Sequence, residues 1–350
     1  MNFAPTDDAT ERIRLRLADR VRRSLHACAR TVEPTVAPLA EALVVLASSP
    51  DEGSLLHPET MRWHTRLNRA LRRGATRSVL LNALEGLPHV LAEVRHSDER
   101  AARTAVDGIP FDIASNSPSV HSVLRQVVAR ATANAGDRGV HTRGPARNDV
   151  SVETADAASL DATRQALATI RAVWPELYAE MRSLIRVLVF FDESVTAGRV
   201  TIFTDSSYHG AILQTRRFAL ERGALHETAG DLLHEATHTH LNAVLLCGEQ
   251  FFTRRTTSLH VTTFRSDPRP LSSVFHQVVV LARLAEYLLR AEEAGLTDVP
   301  RLDTYRPGPR GRLLSDELND SLRVLLKEAP LTDYATEVVE SVVDRLPAFR

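Results

Sequence analysis

Cysteine, lysine and aromatic side chains are scarce in this chain, and each shortage removes a class of explanation. Cys28 and Cys247 are the only cysteines in 350 residues. Two thiols so far apart make neither a disulfide framework nor a thiolate metal site, and they fit a reducing, cytoplasmic setting. Lys327 is the only lysine among 43 basic residues, a bias that suggests a GC-rich bacterial genome and no particular chemistry. Acidic residues number 44, so the formal net charge is -1. A chain so balanced has no general field to draw nucleic acid or an anionic membrane surface, and neither is expected as a partner. No segment reaches 18 consecutive apolar residues, and charge interrupts the first twenty before a secretory core can form. The expectation is a protein neither exported nor membrane-spanning.

Apolar residues make up 43% of the chain, enough for a large core. From Glu11 to about Arg30 they recur at helical spacing, at Ile13, Leu15, Leu17, Val21 and Leu25. The pattern repeats over Ala37–Ser48, Glu59–Arg73 and Thr76–Arg95, with a further helix expected over Pro118–Ala131. Residues 134–148 are rich in glycine, arginine and asparagine and read as a mobile loop. Ala158–Leu184 returns to helical spacing, with Pro175 bending or restarting the helix. Ile185–Phe191 and Val200–Phe203 are short, β-branched and aromatic, and read as adjacent strands; Ala211–Thr215 is a third candidate. Thr256–Phe264 alternates like a half-buried strand, Arg265–Pro270 reads as a rigid loop, and a long helix begins near Leu271 and runs to Glu293. Helices return over Asp316–Arg345. The expected class is α+β and predominantly helical: an N-terminal helical array, a small β-sheet next to the motif helix described below, and C-terminal helices. A division near residue 150 is expected, with a helical region over 1–150 and a metal-binding domain over 151–350.

The most chemically informative stretch is Asp231–His240, DLLHEATHTH, which contains His234-Glu235-Ala236-Thr237-His238. On a helix the histidines at i and i+4 share a face and can reach one divalent ion. Glu235 is placed to act as a general base on metal-bound water in a zinc peptidase, or to support a ligand in another chemistry. Zinc and non-haem iron both want at least a third protein ligand. Two residues of the long helix compete for that role, His276 and Glu286. Ten residues at about 100° each set them about 80° apart round the axis, so they are not expected to bind one ion together. Glu286 lies between Arg283 and Arg290, which favours helix-spaced ion pairs.

The order and spacing of these features resembles a known family, the H-E-x-x-H peptide-modification proteins found beside ribosomal-peptide gene clusters. The resemblance rests on Tyr208-His209-Gly210, on the HEATH helix followed by Leu241-Asn242-Ala243, and on Arg265-Ser266-Asp267-Pro268-Arg269-Pro270-Leu271 leading to His276. It covers about Ile185 to Ala294. The chain departs from the family's pattern at Phe264, where tryptophan is expected, at Gln277, where glycine is expected, and at Arg283, where a small residue is usual. The resemblance implies an iron- and 2-oxoglutarate-dependent oxygenase that hydroxylates a peptide, with His234, His238 and His276 holding Fe(II). A planar guanidinium suits the distal carboxylate of 2-oxoglutarate, with Arg269 first in order, then Arg265, then Arg283. The alternative is a zinc metallopeptidase, with Glu235 as base, Glu286 or His276 as third ligand and Arg265 or Tyr287 as oxyanion donor. A non-catalytic peptide-binding scaffold is the third possibility.

Overall fold

The computed structural model describes residues 3–106, 108–114, 120–126, 157–191, 202–215, 225–254, 256–262, 268–297, 299–307 and 311–346. The expected mobile loop over 134–148 and Arg265 lie outside them. The chain divides into two units that interleave along the sequence. One, here the histidine unit, comprises Met1–Glu11, Gln165–Met181 and Ala224–Arg350; the other, the sheet unit, comprises Arg12–Arg164 and Arg182–Gly223. The division therefore does not coincide with a cut near residue 150, because Arg182–Gly223 group with the N-terminal helices.

Helices dominate both units. The N-terminal array is α1 (Asp7–Val32), α2 (Ala37–Ala47), α3 (Glu52–Leu56), α4 (Pro58–Arg72) and α5 (Arg77–Val106). Pro58 occupies the first turn of α4, where its missing N–H costs nothing, and His57 Nδ1 caps the turn by accepting from the Glu59 N–H. The next helices are α6 (Ala157–Val173) and α7 (Pro175–Leu184), separated where Pro175 restarts the chain. They are followed by α8 (Leu225–Leu246), α9 (Leu271–Glu293), α10 (Leu314–Glu328) and α11 (Asp333–Arg345). Among the described residues no helix is long and apolar enough to cross a membrane.

The sheet unit holds four strands, β1 (Asp112–Ala114), β2 (Val187–Phe191), β3 (Ile202–Phe203) and β4 (Ala211–Thr215), in the order β1-β2-β4-β3. The β1–β2 and β2–β4 pairs are parallel and β3–β4 is antiparallel. β4 thus lies between the two strands that the sequence suggested were neighbours. Val187, Val189 and Phe191 alternate onto one face of β2 and pack with Ala211 and Leu213 of β4 and with Val120, Val123 and Leu124 of a helical stretch. Gly210 enters β4 at φ 87°, where a Cβ would sit 3.1 Å from the Leu184 carbonyl oxygen, so the tight entry favours glycine.

The histidine unit is built round α9. Every residue from Val278 to Leu288 is buried, and α8, α10 and α11 all pack against it. A two-stranded ribbon, β5 (Leu259–His260) with β6 (Arg269–Pro270), pairs His260 with Arg269 and leads directly into α9. The expected rigid loop is thus partly a strand.

Candidate metal centre

The motif folds as its spacing requires: His234 and His238 lie one turn apart on α8, and α9 carries His276 to the same place. His238 stands between the other two. Its Nε2 is 3.1 Å from His234 Nε2, and its Nδ1 is 3.2 Å from His276 Nδ1. The edge of the Phe251 ring meets His276, with centroids 5.7 Å apart. Burial holds His276 down at about 4, so near neutrality it is an uncharged imidazole with a lone pair to offer.

Two nitrogens of one ion, at bond lengths near 2.1 Å, stand about 3.0 Å apart at a right angle and about 3.4 Å apart in a tetrahedron. The His234–His238 pair fits that spacing. The trio, as placed, does not converge, because His238 turns its second nitrogen to His276. Among the described residues no three His, Cys, Asp or Glu side chains form the ligand set of one ion. The three imidazoles form a hydrogen-bonded chain instead, its donor and acceptor roles set by their tautomers.

The three histidines line a cavity of about 320 Å³ together with Arg269, Ser272, Ser273 and Gln277, and with Leu245, Val280 and Leu281 as its apolar wall. Glu235, about 100° round α8 from His234, is buried and is not among the lining residues. Ser272 and Ser273 enter through the first turn of α9. The sequence carried a signal for them in Pro270, which starts that helix beside Arg269. Gln277, at the position where the family pattern has glycine, gives Nε2 to Ser321 Oγ at 2.7 Å and to Thr262 Oγ1 at 3.2 Å.

Glu286 is elsewhere. It is 2% exposed and accepts from Arg345 at 2.7 Å and from Arg290 at 2.8 Å. Burial alone would raise its pKa, but the hydrogen bonds from Arg345 and Arg290 outweigh that and hold it below the usual carboxylate range. The ion pair expected with Arg290 is present. Arg283 turns away to Glu180, its Nη1 2.5 Å from Oε1 and its Nη2 3.1 Å from Oε2, while its Nε donates to the Phe3 carbonyl at 2.8 Å. That pairing takes the fork a cosubstrate carboxylate would need. His240 Nδ1 lies 2.8 Å from Glu180 Oε2, so one carboxylate serves side chains of both α8 and α9. Burial would raise Glu180, but Arg283 and His240 bring it down to about 2. Nothing local in the sequence announces this triad. The two histidine-bearing helices come close at Gly230, where a Cβ would lie 3.3 Å from Leu284 Cδ1.

Compared with known proteins, the chain matches no family model and no curated protein sequence.

Proposed function

We propose that the protein is an Fe(II)- and 2-oxoglutarate-dependent oxygenase that hydroxylates a peptide, with His234, His238 and His276 as iron ligands and Arg269 as the cosubstrate's anchor. The observation that carries this reading is the meeting of those four residues in one cavity, while Glu286 is held by two arginines. At about 320 Å³ the cavity falls within the common range for small-molecule sites, about 300–1,000 Å³. We favour the oxygenase over a zinc peptidase because Glu235, the base a peptidase would need beside bound water, is not among the lining residues. A reducing, cytoplasmic setting suits Fe(II), and Cys28 and Cys247 are not joined in a disulfide.

Bound iron with 2-oxoglutarate would supply the oxidising power, turning the cosubstrate, dioxygen and a C–H bond into succinate, carbon dioxide and a C–OH group. The chain's own groups bind and orient. For all three imidazoles to ligate, His238 and His276 must exchange the hydrogen bond between them for bonds to the ion. Arg269 has a planar guanidinium suited to a carboxylate, and Ser272 and Ser273 line the same cavity. Leu245, Val280 and Leu281 give the site an apolar side.

Iron content and cosubstrate binding in anaerobically prepared protein test the reading. His276→Ala should lower iron content, Glu286→Ala should retain it, and Arg269→Ala should weaken 2-oxoglutarate by about 10- to 150-fold with iron unchanged. With a substrate peptide, succinate should appear as the peptide gains one oxygen atom. Iron lost from Glu286→Ala but kept by His276→Ala, or peptide cleavage by the zinc form without succinate, would overturn it.

A further inference from the structure

A larger cavity, of about 750 Å³, lies between α4 and α5 of the sheet unit and has no part in the reading above. Its wall contains Arg62, which is 4% exposed. The terminal nitrogens of Arg62 meet neutral hydroxyls, Nη1 donating to Ser207 Oγ at 3.2 Å and Nη2 to Ser122 Oγ at 2.7 Å. Its Nε has no hydrogen-bond partner among the described residues. The nearby carboxylates also hold other groups, and Asp205 accepts from the same Ser207 hydroxyl. Glu59 accepts from the Tyr208 hydroxyl at 3.0 Å, Glu93 from Arg100 at 2.6 Å, and Asp205 from the Ser207 N–H at 2.8 Å.

Arg66, one turn further along α4, brings a second guanidinium to the same wall. Burial and the neighbouring Arg66 charge hold Arg62 below the usual arginine range, against an opposing pull from Glu59 and Asp205. A buried cation hydrogen-bonded only to hydroxyls is costly until an anion meets it. The rest of the lining suits an apolar body, with Trp63 and Leu67 on α4 and Val79 and Val90 on α5.

We propose that this cavity binds a small organic monocarboxylate, its carboxylate on Arg62 and Arg66 and its hydrocarbon against Trp63 and Leu67. Arginine's planar donors match a carboxylate. Glu59 and Glu93 share the wall and repel a dianion more strongly than a monoanion, which selects against phosphate.

Hexanoate, 1-hexanol and inorganic phosphate, each titrated into the full chain and followed by calorimetry and by tryptophan emission, test this. Hexanoate should saturate one site per chain, with 1-hexanol and phosphate each at least about ten-fold weaker. Arg62→Met should weaken hexanoate by about ten-fold or more, and Arg62→Lys by less. Arg269→Ala should leave hexanoate binding unchanged, which separates this cavity from the histidine site. Equal binding of 1-hexanol, tighter binding of phosphate, or undiminished hexanoate binding in Arg62→Met would overturn the proposal. Should Arg62→Met fail to fold, the three probes on the unaltered chain and the exposed Arg66→Met decide it, because an Arg66→Met chain that binds hexanoate as tightly as the parent has no two-arginine anchor.

Discussion

Arg62 and Arg283 are both arginines taken out of water, and the two units treat them oppositely. In the histidine unit Arg283 is closed on Glu180 by two parallel bonds and capped by the Phe3 carbonyl. In the sheet unit the hydrogen bonds of Arg62 go to two serine hydroxyls, beside a cavity. The same unit buries His57, His64 and His209, all kept neutral: His57 at about 3, chiefly through burial with help from Arg186 and Arg100, and the other two at about 4 through burial. The sheet unit pairs one buried charge, Asp112 with Arg100 at 2.8 Å, keeps three buried histidines neutral and leaves Arg62 facing a space. A paired buried charge reads as architecture, and one left facing a cavity reads as a place for a ligand.

Acid should break this contrast first and most strongly. A histidine held below its ordinary value of 6.5 contributes stability that is lost as pH falls from about 6.5 towards its folded value. Each such histidine opposes folding by about 1.4 kcal/mol per pH unit across that window, against a net stability of typically about 5–15 kcal/mol. The sheet unit, with three, should therefore open between about pH 6.5 and 4, ahead of the histidine unit, where His276 is the histidine that burial is shown to lower. Glu180 has the opposite range: depressed to about 2, it contributes stability that is kept above its ordinary 4.5 and lost only below that. Hydrogen exchange, corrected for intrinsic rates, should show α4 losing protection before α10. Parallel loss in both helices would remove the distinction.

Glu180→Gln should have the next largest effect. It leaves Arg283 buried without its counter-charge, and breaking such a pair costs about 3–5 kcal/mol, read as a fall in urea midpoint. A loss under about 1 kcal/mol would mean that the pair behaves like an exposed one. Arg62→Met should change stability least, by under about 1 kcal/mol in either direction, because relief of a buried, partly compensated charge offsets two lost hydrogen bonds. A large destabilisation there would show that Arg62 is structural after all.

The sequence disclosed these features unequally, for physical reasons. Helices with a clear apolar period and a proline at their start were legible almost to the residue. The long helix was expected from near Leu271 to Glu293, and α9 spans Leu271–Glu293 because Pro270 begins it and its apolar run does not break. The His234–His238 pair was legible because i and i+4 determine a shared face. Strand order was not, since Ala211–Thr215 inserts between two strands that precede it and β1 has only three residues. Arg283 was misjudged from its place on α9, because its partner Glu180 is 103 residues away and leaves no local pattern. The cavity beside Arg62 was equally hidden, since its walls are ordinary amphipathic helices whose facing sides become a space only when packed.

Gly230 gives the paired helices a mechanical character. It sits one turn ahead of His234, and Leu284 sits two turns beyond His276, so the contact between them works as a stop set at a distance from the jaws of a caliper. A single methyl at residue 230 would press on the tip of Leu284 and not on backbone, and that tip, or the spacing of α8 and α9, must give by a few tenths of an ångström. In the proposed metal centre, a change in that spacing would grade ion affinity without touching an imidazole, which makes residue 230 a tuning point for engineering.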